Sequence, residues 1–235
     1  MLDREPMIEF PWLALRFPWL DESMNGHLLV LYLVATFLAM IAPGPDMMFV
    51  LASGVRGGPR AGLMAALGVA SSEVVHITAA AAGLSALFAA APTVFTVLRL
   101  AGAAYLGYLG FQALRSAWRP DPLSVVPAGA TGSISGHRAY LRGALTNLVN
   151  PKMVTFSVAF LPQFVDRSLG HVWLQFLVLG LIFLVFEMVV DGTVGLFAGR
   201  IGGVLARRRR ARQAVDASSG TVMLALAGKL ALERN

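Results

Sequence analysis

Ala42-Pro43-Gly44-Pro45-Asp46-Met47-Met48-Phe49 interrupts the first long apolar run of the chain. Proline removes a backbone donor and blocks the preceding helical turn, and glycine adds backbone freedom. A helix entering this stretch must break or kink, and it does so beside an acid. Farther along, Leu148-Val149-Asn150-Pro151-Lys152-Met153-Val154-Thr155 repeats the disruption, with Pro151 in the place of Pro45 and Met153 in the place of Met47. Here a base, Lys152, stands where Asp46 stood. Backbone that leaves helical form at membrane depth must face protein or water rather than lipid. Two breaks at equivalent positions therefore predict one central polar cavity, whose freed amides and carbonyls suit the carboxylate and ammonium of a zwitterion.

That membrane depth is the right setting follows from the rest of the chain. Of 235 residues, 57% are hydrophobic and 14% charged, and the mean hydropathy is +0.68. A soluble domain is about one-quarter charged, and one core of this size cannot hide so much apolar surface. A helical span takes roughly 20 apolar residues, so the length accommodates about six spans and short loops. Apolar segments run over 27–53, 61–90, 93–114, 140–164, 171–198 and 217–232. A stretch rich in Pro, Gly and Ser, 115–138, divides them into two sets of three.

Residues 1–23 are polar and aromatic and lack the basic start and apolar stretch of a secretory signal. Met24 directly precedes the first clean apolar run. The reading is that Met24 is the start and 1–23 an extension outside the fold. Residues 24–235 then form a single transmembrane domain, with repeats over about 27–114 and 139–232 and a cytoplasmic loop over 115–138.

The charge of +6 rests on 17 arginines against two lysines. Arg56 and Arg60 follow the first segment. Arg115, Arg119, Arg138 and Arg142 flank or occupy the central loop. Arg200, Arg207, Arg208, Arg209, Arg210 and Arg212 follow the fifth segment. These are alternate loops, so they share one side, and the positive-inside rule makes that side cytoplasmic with both termini outside. The basic balance thus reads as a topology signal and not as a nucleic-acid surface. The Arg207–Arg210 run also suits anionic lipid head groups.

The halves resemble each other beyond the breaks. Gly102, Leu106, Gly110 and Leu114 of the third segment match Gly220, Leu224, Gly228 and Leu232 of the sixth at a fixed offset. Glu73 and His76 lie near the middle of the second segment, as Glu187 and Asp191 do in the fifth. A repeat of three crossings reverses direction, which agrees with the charge-derived topology. Inverted repeats with broken helices at a midplane site typify secondary transporters.

A charge at mid-bilayer costs roughly 2.5–3.5 kcal/mol on insertion scales, so it ordinarily has a partner and a task. Asp46 is a candidate for the substrate ammonium or a coupling proton, and Lys152 for its carboxylate; alternatively the two pair only to pin the broken helices together. Pro43, Gly44, Pro45, Asn147, Asn150 and Pro151 complete the candidate binding set. Glu73 and His76 lie three apart on one helix face, and histidine titrates near neutral pH, so they are a candidate proton relay or a plain bundle hydrogen bond. Glu187 and Asp191 lie four apart; two carboxylates on one face repel, which suits proton coupling or cation binding, or else Asp191 reaches the wet head-group layer. The small residues of segments two, three and six suit close packing in lipid and also a homodimer face.

Other chemistries find no foothold. Without cysteine there is no disulfide, thiol nucleophile or cysteine–metal site. No phosphate-binding loop with its GK[ST] ending is present, nor an HExxH metal motif. No catalytic set, metal or cofactor is expected.

Three stretches, APGPDMMFVLASGVRGGPRAGLMAALGVA (42–70), LRLAGAAYLGYLGFQALRS (98–116) and LRGALTNLVNPKMVTFSVAFLPQFVD (141–166), resemble the LysE/RhtB superfamily (lysine exporter; homoserine/threonine resistance) of amino-acid exporters. The PGPD break, the NPK break and the FLPQF ending occur in the family's order and spacing, and the resemblance covers the chain from Met24 onward. It implies an all-α bundle of six transmembrane helices in the bacterial inner membrane, exporting amino acids or their derivatives on the proton motive force. The family's motif residues fall on Pro43, Gly44, Pro45, Asp46, Asn150, Pro151 and Lys152. The extension 1–23 and the pairing of Glu187 with Asp191 depart from the family pattern. The sequence therefore predicts two inverted three-helix repeats with helices one and four broken, working by alternating access on an amino acid and protons. A passive channel, or an accessory membrane protein without coupled transport, is the alternative.

Overall fold

A computed structural model of the chain describes residues 26–41, 44–90, 92–118, 133–166 and 170–232. The extension 1–23, Pro43 and the central-loop residues 119–132 lie outside the described residues. Those described are helical, with no strand among them. In chain order they form α1 (Gly26–Ile41), α2 (Pro45–Ala90), α3 (Pro92–Trp118), α4 (Gly136–Leu148) and α5 (Pro151–Thr155). A π turn (Phe156–Phe160) and a 3-10 turn (Leu161–Phe164) follow α5, then α6 (Val172–Leu196), α7 (Ala198–Arg207) and α8 (Arg209–Leu232). Proline opens α2, α3 and α5, where its missing N–H costs no helical bond.

At the first proline motif α1 stops at Ile41, and α2 begins at Pro45 with Gly44 outside both. The elements differ from the sequence reading in two other places. The expected turn between segments one and two contracts to Gly58, whose φ of 75° and ψ of −178° break the helical geometry inside α2. Only glycine occupies that conformation without strain. There the helix doubles back: a Cβ on Gly54 would lie 3.5 Å from the Cα of Gly62, whereas eight residues of straight helix span about 12 Å. The arginine-rich loop after segment five is itself helical, as α7 and the start of α8.

Helix directions follow from which residues meet. Gly62 of α2 packs against Gly195 of α6, and Ile77 against Gly180, so α2 and α6 run antiparallel. Gly110 meets Leu224, and Gly220 meets Leu114, so α3 and α8 do likewise. Ser116 donates to Asp216 at 2.9 Å and Gln213 to the Ala117 carbonyl at 3.1 Å along that same seam. By contrast α4 runs parallel to α2: Gly57 lies against Ile134, Gly68 against Tyr140 and Asn147 beside Val69. Glycine lines each crossing because backbones in direct contact leave no room for a side chain.

The largest core is aromatic. Tyr32, Met153, Phe156, Phe160, Phe164, Phe176 and Phe183 are buried together. Ring centroids of Phe156 lie 4.4 Å from those of both Phe160 and Phe183. Tyr32 ties α1 to α6 by donating to the Leu179 carbonyl at 2.6 Å.

The outer surface is the reverse of a soluble protein's. Val75 is 54% exposed, Leu181 59%, Phe111 61% and Leu145 60%, while Asp46, Glu73, Lys152, Glu187 and Asp191 are each under 5% exposed. Apolar surface this extensive calls for a lipid or protein cover. By length and composition, three helical stretches among the described residues can cross a membrane: Pro45–Gly83, Val172–Leu196 and Arg209–Leu232. The chain is a helical membrane protein.

Candidate functional site

Asp46 stands in the first turn of α2, and the amide of Met48 closes that turn on the Gly44 carbonyl at 3.0 Å. A carboxylate suits the positive end of a helix. Lys152 stands in the first turn of α5, where Asn150 caps the helix by accepting from the Lys152 amide at 3.0 Å. Gly44 holds the two motifs together. A Cβ added there would collide with Oδ1 of Asp46 and come within 3.0 Å of Cδ and 3.2 Å of Nζ of Lys152. The Asp46 carboxylate and the Lys152 ammonium thus both border the space that a Gly44 side chain would fill, and both are buried.

The second acid comes from the middle of α2. Glu73 is 1% exposed and is bonded from three directions. Asn147, in the last turn of α4, donates to its Oε2 at 3.3 Å and also to the Val69 carbonyl at 3.2 Å. Ser157, in the π turn, donates to its Oε1 at 3.4 Å. His76 meets Oε2 through Nδ1 at 3.2 Å, and its Nε2 meets the carbonyl of Leu148, the final residue of α4, at 3.2 Å. Single-turn π segments are often found at functional positions, and this one begins a turn after Lys152.

Glu187 and Asp191 project from one face of α6, both buried. Asp191 is therefore not a wet head-group residue. Glu187 lies within electrostatic reach of Glu73, Asp46, Asp191 and Lys152, and Asp191 within reach of Asp46 and Lys152. Residues from α2, α4, α5 and α6 thus converge on one buried polar region. In it, Asp46 Oδ1, both Glu187 oxygens, Asp191 Oδ2 and Asn147 Oδ1 accept no hydrogen bond, and Asn150 Nδ2 donates none. Leaving one buried polar group unmatched costs about 1–3 kcal/mol, so a group of them in one place marks more than structural packing. The mismatch is mostly of one kind: acceptors without donors. Among the described residues, no three His or acid side chains stand as a metal-binding group.

Of the residues singled out in the sequence, the structure gathers Gly44, Asp46, Glu73, His76, Asn147, Asn150, Lys152, Glu187 and Asp191 around this region; Pro45 and Pro151 open the adjoining helices and are themselves exposed, and Pro43 lies outside the described residues. Others went unread. Ser157 carries no signal in Phe156-Ser157-Val158-Ala159-Phe160, and it reaches Glu73 only because the π turn aims it there. Arg99 was legible as a lone base in an apolar segment. It is 7% exposed on α3.

The LysE type translocator family matches residues 37–234, which include both proline motifs and every acid of the cluster. An uncharacterised membrane protein of Pseudomonas aeruginosa is 31% identical over 200 residues, covering 85% of this chain and 93% of its own. A leucine efflux protein of Salmonella typhimurium is 34% identical over 152 residues, 63% of this chain and 68% of that one. A homoserine/homoserine lactone efflux protein of the same organism is 28% identical over 204 residues, 87% of this chain and 96% of that one. No solved structure matches the chain. This membrane protein is a transporter rather than an enzyme, and it belongs to the LysE type translocator family.

Proposed function

We propose that the protein exports amino acids or amino-acid derivatives from the cytoplasm across the bacterial inner membrane, in exchange for protons. One observation carries this reading: buried acids and one lysine gather where helix ends meet, and oxygens of Asp46, Glu187 and Asp191 lack donors. An amino acid brings an ammonium for Asp46 and a carboxylate for Lys152. Protons serve Glu187, Asp191 and Glu73. Met153 and Phe156 join the aromatic core directly beside Lys152, so an apolar side chain would meet apolar walls there. Relatives that are named for leucine and homoserine efflux support this substrate class.

In this reading α1 and the first arm of α2 make a broken first span, and the second arm and α3 complete one repeat. Helices α4 and α5 with the two turns after them make a broken fourth span, and α6 and α8 complete the other. The antiparallel course of α2 with α6, and of α3 with α8, supports an inverted pair. The two halves rock about the shared site, opening it alternately to each side. In this reading the exposed Arg207, Arg208, Arg209 and Arg210 face the cytoplasm by the positive-inside rule, with both termini periplasmic.

The test is efflux from cells fed leucine-containing dipeptides, with and without an uncoupler. Cells carrying the protein should release leucine faster than cells lacking it, and the uncoupler should abolish the difference. Efflux that ignores the uncoupler would indicate a passive channel. No efflux of any amino acid across a dipeptide panel would overturn the exporter reading.

A further inference from the structure

We propose that Glu73 and His76 share a single proton whose presence fastens the last residue of α4 to α2, so that proton release frees that end of α4 at its break. The proposal rests on the proton-coupled exporter reading above and names the pair that does the coupling.

Donors and acceptors decide where the proton lies. The Leu148 carbonyl can only accept. For His76 Nε2, 3.2 Å away, to bond it, Nε2 must carry hydrogen. Nδ1 then faces Glu73 Oε2 at 3.2 Å, and a second proton must lie between them, on the imidazole or on the carboxyl. With that proton present, both contacts are hydrogen bonds. With it gone, a neutral imidazole has one N–H for two acceptors. If it keeps Nδ1–H for the Glu73 carboxylate, the Nε2 lone pair confronts the Leu148 oxygen and the contact must open. If it keeps Nε2–H, the Nδ1 lone pair confronts the carboxylate; the ionised carboxylate is the stronger acceptor, so the first arrangement prevails and the Leu148 contact opens.

What sits at the far end of this contact makes it a coupling device. Leu148 is the last residue of α4, and the helix resumes at Pro151. Glu73 also accepts from Asn147 before the break and from Ser157 after it. One carboxylate therefore joins both sides of the interruption that carries Lys152. The titratable groups facing it are His76 from its own helix, Tyr32 from α1 and Glu187 from α6. From α4 and the π turn it meets Asn147 and Ser157, which do not ionise. His76 is the most accessible of this set, with 10% of its side chain exposed, which suits a group that passes a proton inward.

The experiment uses the purified full-length protein in liposomes loaded with radiolabelled leucine. It reads the ratio of efflux into acidic buffer to efflux at equal pH. For the wild type, a gradient of one pH unit should raise efflux by about tenfold, the change in proton activity. In Glu73→Gln the ratio should fall to about one, because the amide cannot release a proton, and His76→Asn should lower it likewise. Glu73→Asp should restore part of it. A ratio retained in Glu73→Gln would overturn this inference and leave the exporter reading intact. A wild-type ratio of one would overturn proton coupling itself, and the inference with it. Nitrogen-15 spectra of the imidazoles give a reading independent of transport. His76 should show hydrogen on Nε2 at neutral pH, with an Nδ1 signal that titrates and is displaced in Glu73→Gln. A bare Nε2 would refute the shared proton whatever the transport data.

Discussion

Adding one methyl group at Gly44 should separate the two charges of the site without removing either. The backbone there is compatible with alanine, since only Gly58 and Gly170 among the described glycines have positive φ. The new Cβ would nevertheless overlap Asp46 Oδ1 and stand 3.0 Å from Cδ and 3.2 Å from Nζ of Lys152. The lysine stem can yield by a few tenths of an ångström, but the short Asp46 side chain can yield only by turning its carboxylate away. Overpacking of this kind costs about 1–3 kcal/mol. If that cost falls on the state that binds substrate, affinity drops by roughly 5- to 150-fold. Counterflow of leucine in proteoliposomes measures it: Gly44→Ala should raise KM within that range while the protein remains folded and monodisperse in detergent. Gly228→Ala is the control, because a Cβ there meets nothing within 4 Å, and its KM should equal that of the wild type. A wild-type KM in Gly44→Ala would refute the claim that Asp46 and Lys152 grip substrate beside this carbon.

Removing the charges themselves should be more severe. Asp46→Asn and Lys152→Met should each lower leucine turnover by at least about tenfold in folded protein, since each removes a buried charge that faces Glu187 and Asp191; normal turnover in both would confine the pair to pinning helices. Gly62→Ala drives a Cβ into the Gly195 backbone, and should lower the melting temperature of the purified protein by several degrees, for a cost of about 1–3 kcal/mol; Gly203→Ala, which meets nothing, should not. Tyr32→Phe deletes the 2.6 Å bond to the Leu179 carbonyl and should cost about 1 kcal/mol of stability, read in the same melt. Alkaline phosphatase fused after the last residue should be active, placing the C-terminus outside; activity only in fusions near Arg208 would invert the topology.

Much of the architecture was written in patterns that depend on local chemistry alone. Proline blocks the helical turn before it, so the sequence predicts a break or kink at Pro45 and Pro151, and a helix starts at each. Lipid demands apolar length, so the segments at 171–198 and 217–232 contain α6 and the apolar part of α8. Where the reading fell short, the cause was a signal that composition does not carry. A turn is expected after the first segment, at Arg56 and Arg60, but its tightness is not legible: non-helical geometry is confined to Gly58, inside α2. Helix α7 and the beginning of α8 fall among the arginines, where charge masks an ordinary helical propensity. Which glycines are contacts was also hidden: Gly62 and Gly228 look alike in sequence, yet one touches the Gly195 backbone and the other meets nothing.

For the site, the sequence supplied the members but not their partnerships. Asp46 and Lys152 were paired by the repeat, and Glu73 with His76 by a spacing of three. Spacing along one helix cannot say what a side chain meets across the bundle. Asn147 entered as a binding candidate because it precedes a proline break, whereas its amide is committed to Glu73 and the Val69 carbonyl. Its carbonyl oxygen stays unmatched, so the residue can anchor α4 to α2 and still face the site. Glu187 and Asp191 were expected to repel each other, and the structure adds Asp46 and Glu73 to the same neighbourhood. Four acids with one lysine make a region whose charge balance changes with every proton that enters or leaves. A bundle that merely needed rigidity would do better with apolar side chains in those places. The concentration of acids, more than either proline motif alone, is what separates a transporter's interior from a passive helical scaffold.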